Sequence, residues 1–413
     1  MNETPKALRL QIAAFGLRNA GKSSLLNRLA GQQISIVSDV PGTTTDPTEK
    51  AMELQPIGPV LLIDTAGLDD HGELGEMRIE RSRKIMERTD LALIVSGTGS
   101  WSAMERDTAE YFRSRKIPVI AVFNKADFIA PEQPLTAQLD AEKIPWAAVS
   151  AADGTGFGKL REQIIAHAPE DFLTPASLLP EFMNDGSVSV LVTPIDLEAP
   201  KGRLILPQVQ TIREVLDRES WCVVTKEDHL SDALQRLSSP PDLVITDSQM
   251  FATVSRTVPD SIPLTSFSIL MARQKTDLSL CASGAAAIDF LKDNDRVLIA
   301  EACTHHPTEE DIGRVKIPAL LRKKTGKMLR IEHSRGHDFP ADLEEFSLVI
   351  HCGGCMFNRR EMLSRLNTCR EAGVPFTNYG VTIAHCTGIL ERALRPFPGV
   401  YHAYMEAVKT GKN

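Results

Sequence analysis

The chain is predicted to be α/β, with mainly parallel sheets covered by helices in three successive units. Three observations carry that expectation. Short apolar runs alternate with helical patterns, a glycine-rich loop stands between the first run and a helix, and 413 residues exceed what one ordinary core organises.

In the first unit, residues 1–170, the runs Leu8 to Phe15, Val60 to Asp64, Leu91 to Val95, Val119 to Asn124 and Trp146 to Ser150 read as buried strands. Residues 171–184, proline-bearing and without periodicity, read as a linker. A smaller unit over 185–275 has strand runs at Val188 to Ile195, Trp221 to Thr225, Leu243 to Thr246 and Leu264 to Phe267. Val209 to Arg218 and Leu230 to Leu237 are its helical stretches. The last unit, 276–413, opens on the helical pattern Leu278 to Leu291. Its strand runs are Val297 to Ala300, Leu329 to Ile331, Leu348 to His351 and Pro375 to Thr377.

Hydrophobic content of 42% and charged content of 24% suit a globular protein, and no apolar run approaches the roughly 18 residues that span a bilayer. No membrane association is expected. Met1 to Leu10 lacks the basic start and apolar stretch of a secretory signal, so a cytoplasmic address is expected. A net charge of -8 argues against a nucleic-acid partner, and the basic cluster Arg322, Lys323, Lys324, Lys327 and Arg330 reads as a solvated helix face. All cysteines but Cys222 follow Asp277, and an odd count of seven points to metal ligands or free thiols rather than disulfides.

Chemistry begins at Gly16-Leu17-Arg18-Asn19-Ala20-Gly21-Lys22-Ser23, between a strand and a helix. That context makes it a phosphate loop: backbone N–H groups curl around phosphates, Lys22 neutralises their charge, and Ser23, followed by Ser24, meets magnesium and phosphate. Asp64-Thr65-Ala66-Gly67 then supplies a strand-end carboxylate for magnesium and a glycine N–H for a γ phosphate. In Asn124-Lys125-Ala126-Asp127, Asp127 can accept two hydrogen bonds from guanine while Asn124 and the Lys125 stem support the ring. Ser150 and Ala151 suit a backbone contact to the guanine oxygen. GTP with Mg2+ is the expected ligand.

Residues 8 to 168 resemble the translation-factor-related GTPases that include MnmE, Era and Der. The resemblance gives Pro41-Gly42-Thr43-Thr44-Thr45-Asp46 as the first switch, Thr44 as a magnesium and γ-phosphate contact, and Lys22, Thr44, Asp64 and Gly67 as the catalytic set. Thr45 replaces the family arginine, so that arginine's role is not carried over. It also implies that Asn19 helps bind potassium, with potassium-stimulated hydrolysis. Leu68 stands where Ras-like enzymes place a water-orienting glutamine, so slow intrinsic hydrolysis is expected.

The second signal pairs Cys303-Thr304-His305, after one strand, with His351-Cys352-Gly353-Gly354-Cys355, after another. In α/β sheets the strand carboxyl ends collect ligands, so the two loops are expected to converge. Cys303, Cys352 and Cys355 offer three thiolates, with His305 or His351 at a fourth position. Zinc and a four-iron cluster would both accept that set. Cys369, about 21 Å along a helix from Cys355, reads as core; so do Cys222, Cys281 and Cys386.

Cys-x-His followed at a distance by His-Cys-x-x-Cys, behind such a GTPase, resembles the HydF-type maturation factors of iron-only hydrogenases. The resemblance implies a P-loop GTPase domain, a small α/β dimerisation domain and an α/β iron–sulfur cluster-binding domain holding a 4Fe-4S cluster. It implies a homodimer that assembles or delivers the two-iron precursor of the FeFe-hydrogenase cofactor, with the hydrogenase apoprotein and radical-SAM maturation enzymes as partners. His333, Arg335, His337, Arg359 and Arg360 are candidate donors to that cargo. The alternative is a tRNA-modification or ribosome-assembly GTPase with a structural metal site.

Overall fold

Runs of apolar residues without alternation fold as strands buried on both faces, and β1 (Leu10–Phe15) shows this, with every residue buried. The computed structural model describes residues 4–31, 48–68, 82–194, 204–302 and 311–410. They form two units, 1–175 and 176–413.

In the first unit β1 is joined by β2 (Glu49–Leu54), β3 (Gly58–Asp64), β4 (Leu91–Ser96), β5 (Val119–Phe123) and β6 (Trp146–Ala148) in the order β2-β3-β1-β4-β5-β6. All described neighbours are parallel except β2 and β3. Sequence patterning missed β2, whose Glu-Lys-Ala-Met-Glu-Leu composition favours a helix. Pairing to β3 from Glu49↔Ile63 to Leu54↔Gly58 overrides that propensity. Helices α1 (Lys22–Ala30), α2 (Ala103–Ser114) and α3 (Gln133–Ala141) connect the strands, and α4 (Phe157–Ala166) follows the last of them. Alternate residues of β1 enter separate cores on the two faces: Leu10, Ile12 and Ala14 in one, Ala13 and Phe15 in the other.

The second unit holds two four-stranded parallel sheets. β7 (Val188–Val192), β8 (Trp221–Thr225), β9 (Leu243–Thr246) and β10 (Leu264–Ser266) lie in the order β10-β9-β7-β8. Helices α5 (Leu206–Asp217), α6 (Leu230–Arg236), α7 (Phe251–Thr257) and α8 (Phe267–Lys275) accompany them. The first strand stops at Val192, and Ile195 lies outside the described residues.

The other sheet joins β11 (Arg296–Glu301), β12 (Arg330–Arg335), β13 (Leu348–His351) and β14 (Phe376–Asn378) in the order β12-β11-β13-β14. Its helices are α9 (Leu278–Ala286), α10 (Ile317–Thr325), α11 (Arg359–Glu371), α12 (Tyr379–Cys386) and α13 (Pro398–Thr410). One hydrophobic core runs through both sheets, joining Leu191, Val244 and Phe267 to Leu278, Val297, Leu348 and Val381. The basic cluster lies at the surface but is not one helix face: α10 ends at Thr325, Lys327 follows it and Arg330 opens β12, with Lys324 paired to Asp289 at 3.2 Å and Lys327 to Asp293 at 3.8 Å. Among the described residues no helix is long and apolar enough to cross a membrane.

Candidate functional site

β1 delivers the chain to Gly16 and α1 takes it away from Lys22, so the phosphate loop lies between a sheet edge and a helix amino terminus. Gly21 adopts φ 87°, and a Cβ there would lie 2.2 Å from the Asn124 side-chain nitrogen, so only glycine fits. The Lys22 ammonium is buried and donates to the carbonyls of Gly16 and Leu17, both at 2.9 Å. Ser23 Oγ donates to Asp64 Oδ2 at 2.5 Å, while Asp64 Oδ1 is buried without a hydrogen-bond partner. A hydroxyl and a half-satisfied buried carboxylate at the loop's mouth suit magnesium. Ser24 and Asn19 are exposed, Asn19 at φ 60°, and Gly67 is buried beside Leu68, whose N–H donates to the Gly16 carbonyl at 3.2 Å. Thr44 lies outside the described residues, as do the rest of the first switch and residues 69–81.

The loops at 124–127 and 150–151 are tied to this one through Asn124. Its Nδ2 donates to Ala20 O at 3.1 Å and Gly21 O at 3.3 Å, and its Oδ1 accepts the Ala151 N–H at 3.1 Å. Lys125, at φ 62°, and Asp127 face solvent, and the buried Ser150 takes its backbone N–H to Thr155 O at 3.0 Å. Arg28 on α1 closes the far side by donating to the carbonyls of Ala152 and Asp153 at 3.1 and 2.7 Å.

The sequence reading missed Glu105. This carboxylate closes the capping box of α2, accepting the Ser102 N–H at 2.7 Å, yet it is buried and also accepts the Leu17 N–H of the phosphate loop. Burial pushes its pKa up, with these hydrogen bonds and the Lys22 charge pulling the other way. Serine three residues before glutamate is a legible capping signal; its reach to the phosphate loop is not.

In the second unit the ends of β11 and β13 lie side by side, with Ala300 paired to His351. Cys352 continues the ladder by donating its N–H to Ala300 O at 2.8 Å, and its Sγ accepts the Ala302 N–H at 3.0 Å. Cys303 and His305 lie outside the described residues. Cys355 is exposed in a turn closed by Phe357 N–H to Gly354 O at 3.0 Å. Gly354 has φ 61°, and a Cβ there would strike Met362 Sδ at 2.5 Å. Beneath the turn lies a buried lysine that the sequence reading did not single out: Lys275 donates to Gly354 O at 2.7 Å and Phe357 O at 2.8 Å. A partly buried and an exposed cysteine, a sulfur accepting a backbone N–H and a buried cation together favour thiolates, while no three metal-ligating side chains gather among the described residues.

His351 is not available as a ligand, which corrects one expectation. Its ring is fully buried, Nδ1 meets Cys352 O at 2.8 Å, and Nε2 faces Arg365 Nη1 at 3.0 Å. Burial, then Arg365, pushes its pKa down to about 3, so it is a neutral histidine wedged against Phe357 and Phe376. Adjacent side chains on an extended strand face opposite ways, so His351 enters the core where Cys352 turns out. Three of the remaining candidate donors have partners. His337 sits 2.8 Å from Glu361, Arg359 donates to Gln274 O at 2.8 Å, and Arg335 lies 3.7 Å from the buried Glu301. Cys281 and Cys369 are buried core thiols and Cys386 is partly buried; burial pushes all three up to about 12.

Residues 11–125 match the family described as 50S ribosome-binding GTPase, residues 178–276 the hydrogen maturase F dimerization domain, and residues 279–396 the hydrogen maturase F tetramerization domain. The GTPase Der of Solidesulfovibrio magneticus is 36% identical over 162 residues, covering 38% of this chain and 36% of that protein. The tRNA modification GTPase MnmE of Synechococcus sp. is 37% identical over 158 residues, covering 38% of this chain and 33% of that protein. The chain thus spans about a third of the length of these curated relatives. Among solved structures, Aquifex aeolicus Era bound to GDP and AlF4- is 22% identical with a TM-score of 0.33, covering 52% of this chain and 92% of that one.

Proposed function

Since the chain belongs to the hydrogen maturase F family, with dimerization and tetramerization domains behind a GTPase domain, we propose that it is an iron–sulfur scaffold that hands on the two-iron precursor of the FeFe-hydrogenase cofactor. That it is a hydrogenase-maturation GTPase follows from its domains; the scaffold role goes further. The observation that carries it is the Ala302 N–H donated to Cys352 Sγ, which favours a thiolate at Cys352.

In this reading Cys303, Cys352 and Cys355 hold a 4Fe-4S cluster, with His305 at an exchangeable fourth position. The cluster supplies an iron at which cargo can be received and released. Around it, the protein fixes the thiolates by backbone geometry: the Ala300 carbonyl anchors the Cys352 amide, and the Gly354 turn presents Cys355. Hydrogenase apoprotein and radical-SAM maturation enzymes are the partners to which nucleotide state would direct it, in the cytoplasm.

In the GTPase unit, Lys22 neutralises phosphate charge, Ser23, Thr44 and Asp64 would hold magnesium, and Gly67 offers its N–H to the γ phosphate. Asn19 would help bind potassium, stimulating hydrolysis. Asn124, Lys125, Asp127, Ser150 and Ala151 read guanine, and Gly16, Gly21 and Ser24 complete the phosphate site.

Anaerobic iron and sulfide analysis with EPR of the reduced protein tests the scaffold reading, with Cys303, Cys352 and Cys355 each replaced by alanine. A four-iron signal lost in every variant is expected. Zinc without iron would overturn it in favour of a structural metal site.

A further inference from the structure

Lys275 is the last residue of α8, inside the stretch matched to the dimerization domain, yet its ammonium ends under the cysteine turn of the neighbouring tetramerization domain. Two carbonyls receive it, Gly354 O at 2.7 Å and Phe357 O at 2.8 Å, which are the two ends of the turn that carries Cys355. The preceding residue joins the same segment, since Arg359 donates to Gln274 O at 2.8 Å. α8 therefore grips the turn from both sides of its exit into α11.

A buried ammonium bonded only to neutral carbonyls is an expensive arrangement, because desolvation of the charge is not offset by an opposite one. Lys275 is 4% exposed, and its bonding partners among the described residues are those two carbonyls. Burial lowers its pKa to about 8, and the thiolates of Cys355 and Cys352 act the other way. We propose that Lys275 is a positioning residue for the cluster: it staples the Cys355 turn and supplies the positive charge that an anionic, thiolate-bound cluster needs behind it. Arg365, the other buried cation nearby, is engaged by His351, by the Gly336 carbonyl and by Glu361 at 3.6 Å. Lys275 is thus the cation matched to the cysteines.

The inference rests on the scaffold reading, and the experiment separates the two. Full-length wild type, Lys275→Met and Lys275→Gln are reconstituted with ferrous iron and sulfide, then followed by iron release to a chelator and by a potentiometric EPR titration. GTP hydrolysis and the melt of the apo protein report folding. Removing the charge disfavours the reduced, more negative cluster. Lys275→Met is therefore expected to release iron about tenfold faster and to lower the midpoint by about 59 mV, a tenfold change for one electron. Lys275→Gln, which keeps a donor without the charge, should show the midpoint shift. A folded Lys275→Met with wild-type release and midpoint would overturn the proposal, as would failure of both variants to fold, which would make Lys275 a folding residue. Should wild type bind no cluster, the scaffold reading falls by itself. Hydrogen exchange of residues 352–358 in the apo proteins then decides the staple: about tenfold lower protection in Lys275→Met supports it, and equal protection overturns it.

Discussion

The side-chain amide of Asn124 donates to the Ala20 carbonyl at 3.1 Å while its oxygen accepts the Ala151 N–H at 3.1 Å. One buried residue thus joins the phosphate loop to the loops at 124–127 and 150–151, the segments proposed to read guanine, so that under this reading base recognition and phosphate binding are mechanically linked.

Asn124→Ala removes these bonds and the one to the Gly21 carbonyl, three in all, and leaves the Ala151 N–H without its side-chain acceptor. Each such loss costs about 1–3 kcal/mol. GDP affinity, where no γ-phosphate contact contributes, should fall by at least about tenfold in calorimetric titration. Unchanged affinity would mean that the loops hold themselves.

Asp127→Asn tests which base is read. An aspartate accepts from the ring N–H and exocyclic amine of guanine, whereas asparagine offers a donor where xanthine carries an oxygen. The variant should lose GTP hydrolysis and gain XTP hydrolysis in a phosphate-release assay.

Glu105 supports the phosphate loop through the Leu17 N–H and lies near Lys22. Glu105→Gln keeps the shape but loses the charge and an acceptor oxygen. GTP affinity should weaken by about tenfold, near 1.4 kcal/mol, with the melt little changed.

Two buried histidines set an acid limit. His351 is pushed down to about 3 by burial and Arg365, and His385 is pushed down by burial, Asp289 offsetting part of it. Below the ordinary value near 6.5 the unfolded chain takes up protons that the folded one refuses. Stability should be full above pH 6.5 and fall on acidification, by about 1.4 kcal/mol per pH unit from His351. Chemical denaturation of apo protein between pH 7.5 and 5 measures it; a flat profile would show these histidines protonated when folded.

β8 ends its sheet with Trp221 69% exposed and Val224 45% exposed, in the stretch matched to a dimerization domain. An unpaired edge carrying an aromatic side chain is a pairing surface. Trp221→Glu should lower the oligomeric state in light scattering while leaving GTP hydrolysis intact.

Legibility differed between the halves for physical reasons. The phosphate loop was readable because glycines at 16 and 21, Lys22 and Ser23 are required by backbone approach to phosphates, and such demands leave fixed spacing. The cysteines were readable by type. Their support was not: Lys275 is 79 residues from Gly354 and belongs to no spacing pattern, so only the packing of α8 against the turn shows it. His351 was misread because adjacency to Cys352 suggests a shared role, whereas the strand sends the two side chains apart. β2 was missed because its partner, rather than its composition, makes it a strand.

The continuous core of the second unit bears on how such a chain can be rearranged in evolution. A break after residue 175 falls between two self-contained units. A break at 276 would part Phe267 and Leu270 from Leu278 and Val381, and would leave Lys275 on the wrong fragment. Residues 176–413 should therefore be inherited, exchanged and lost as a block, while the nucleotide-binding unit is the piece that recombination can trade.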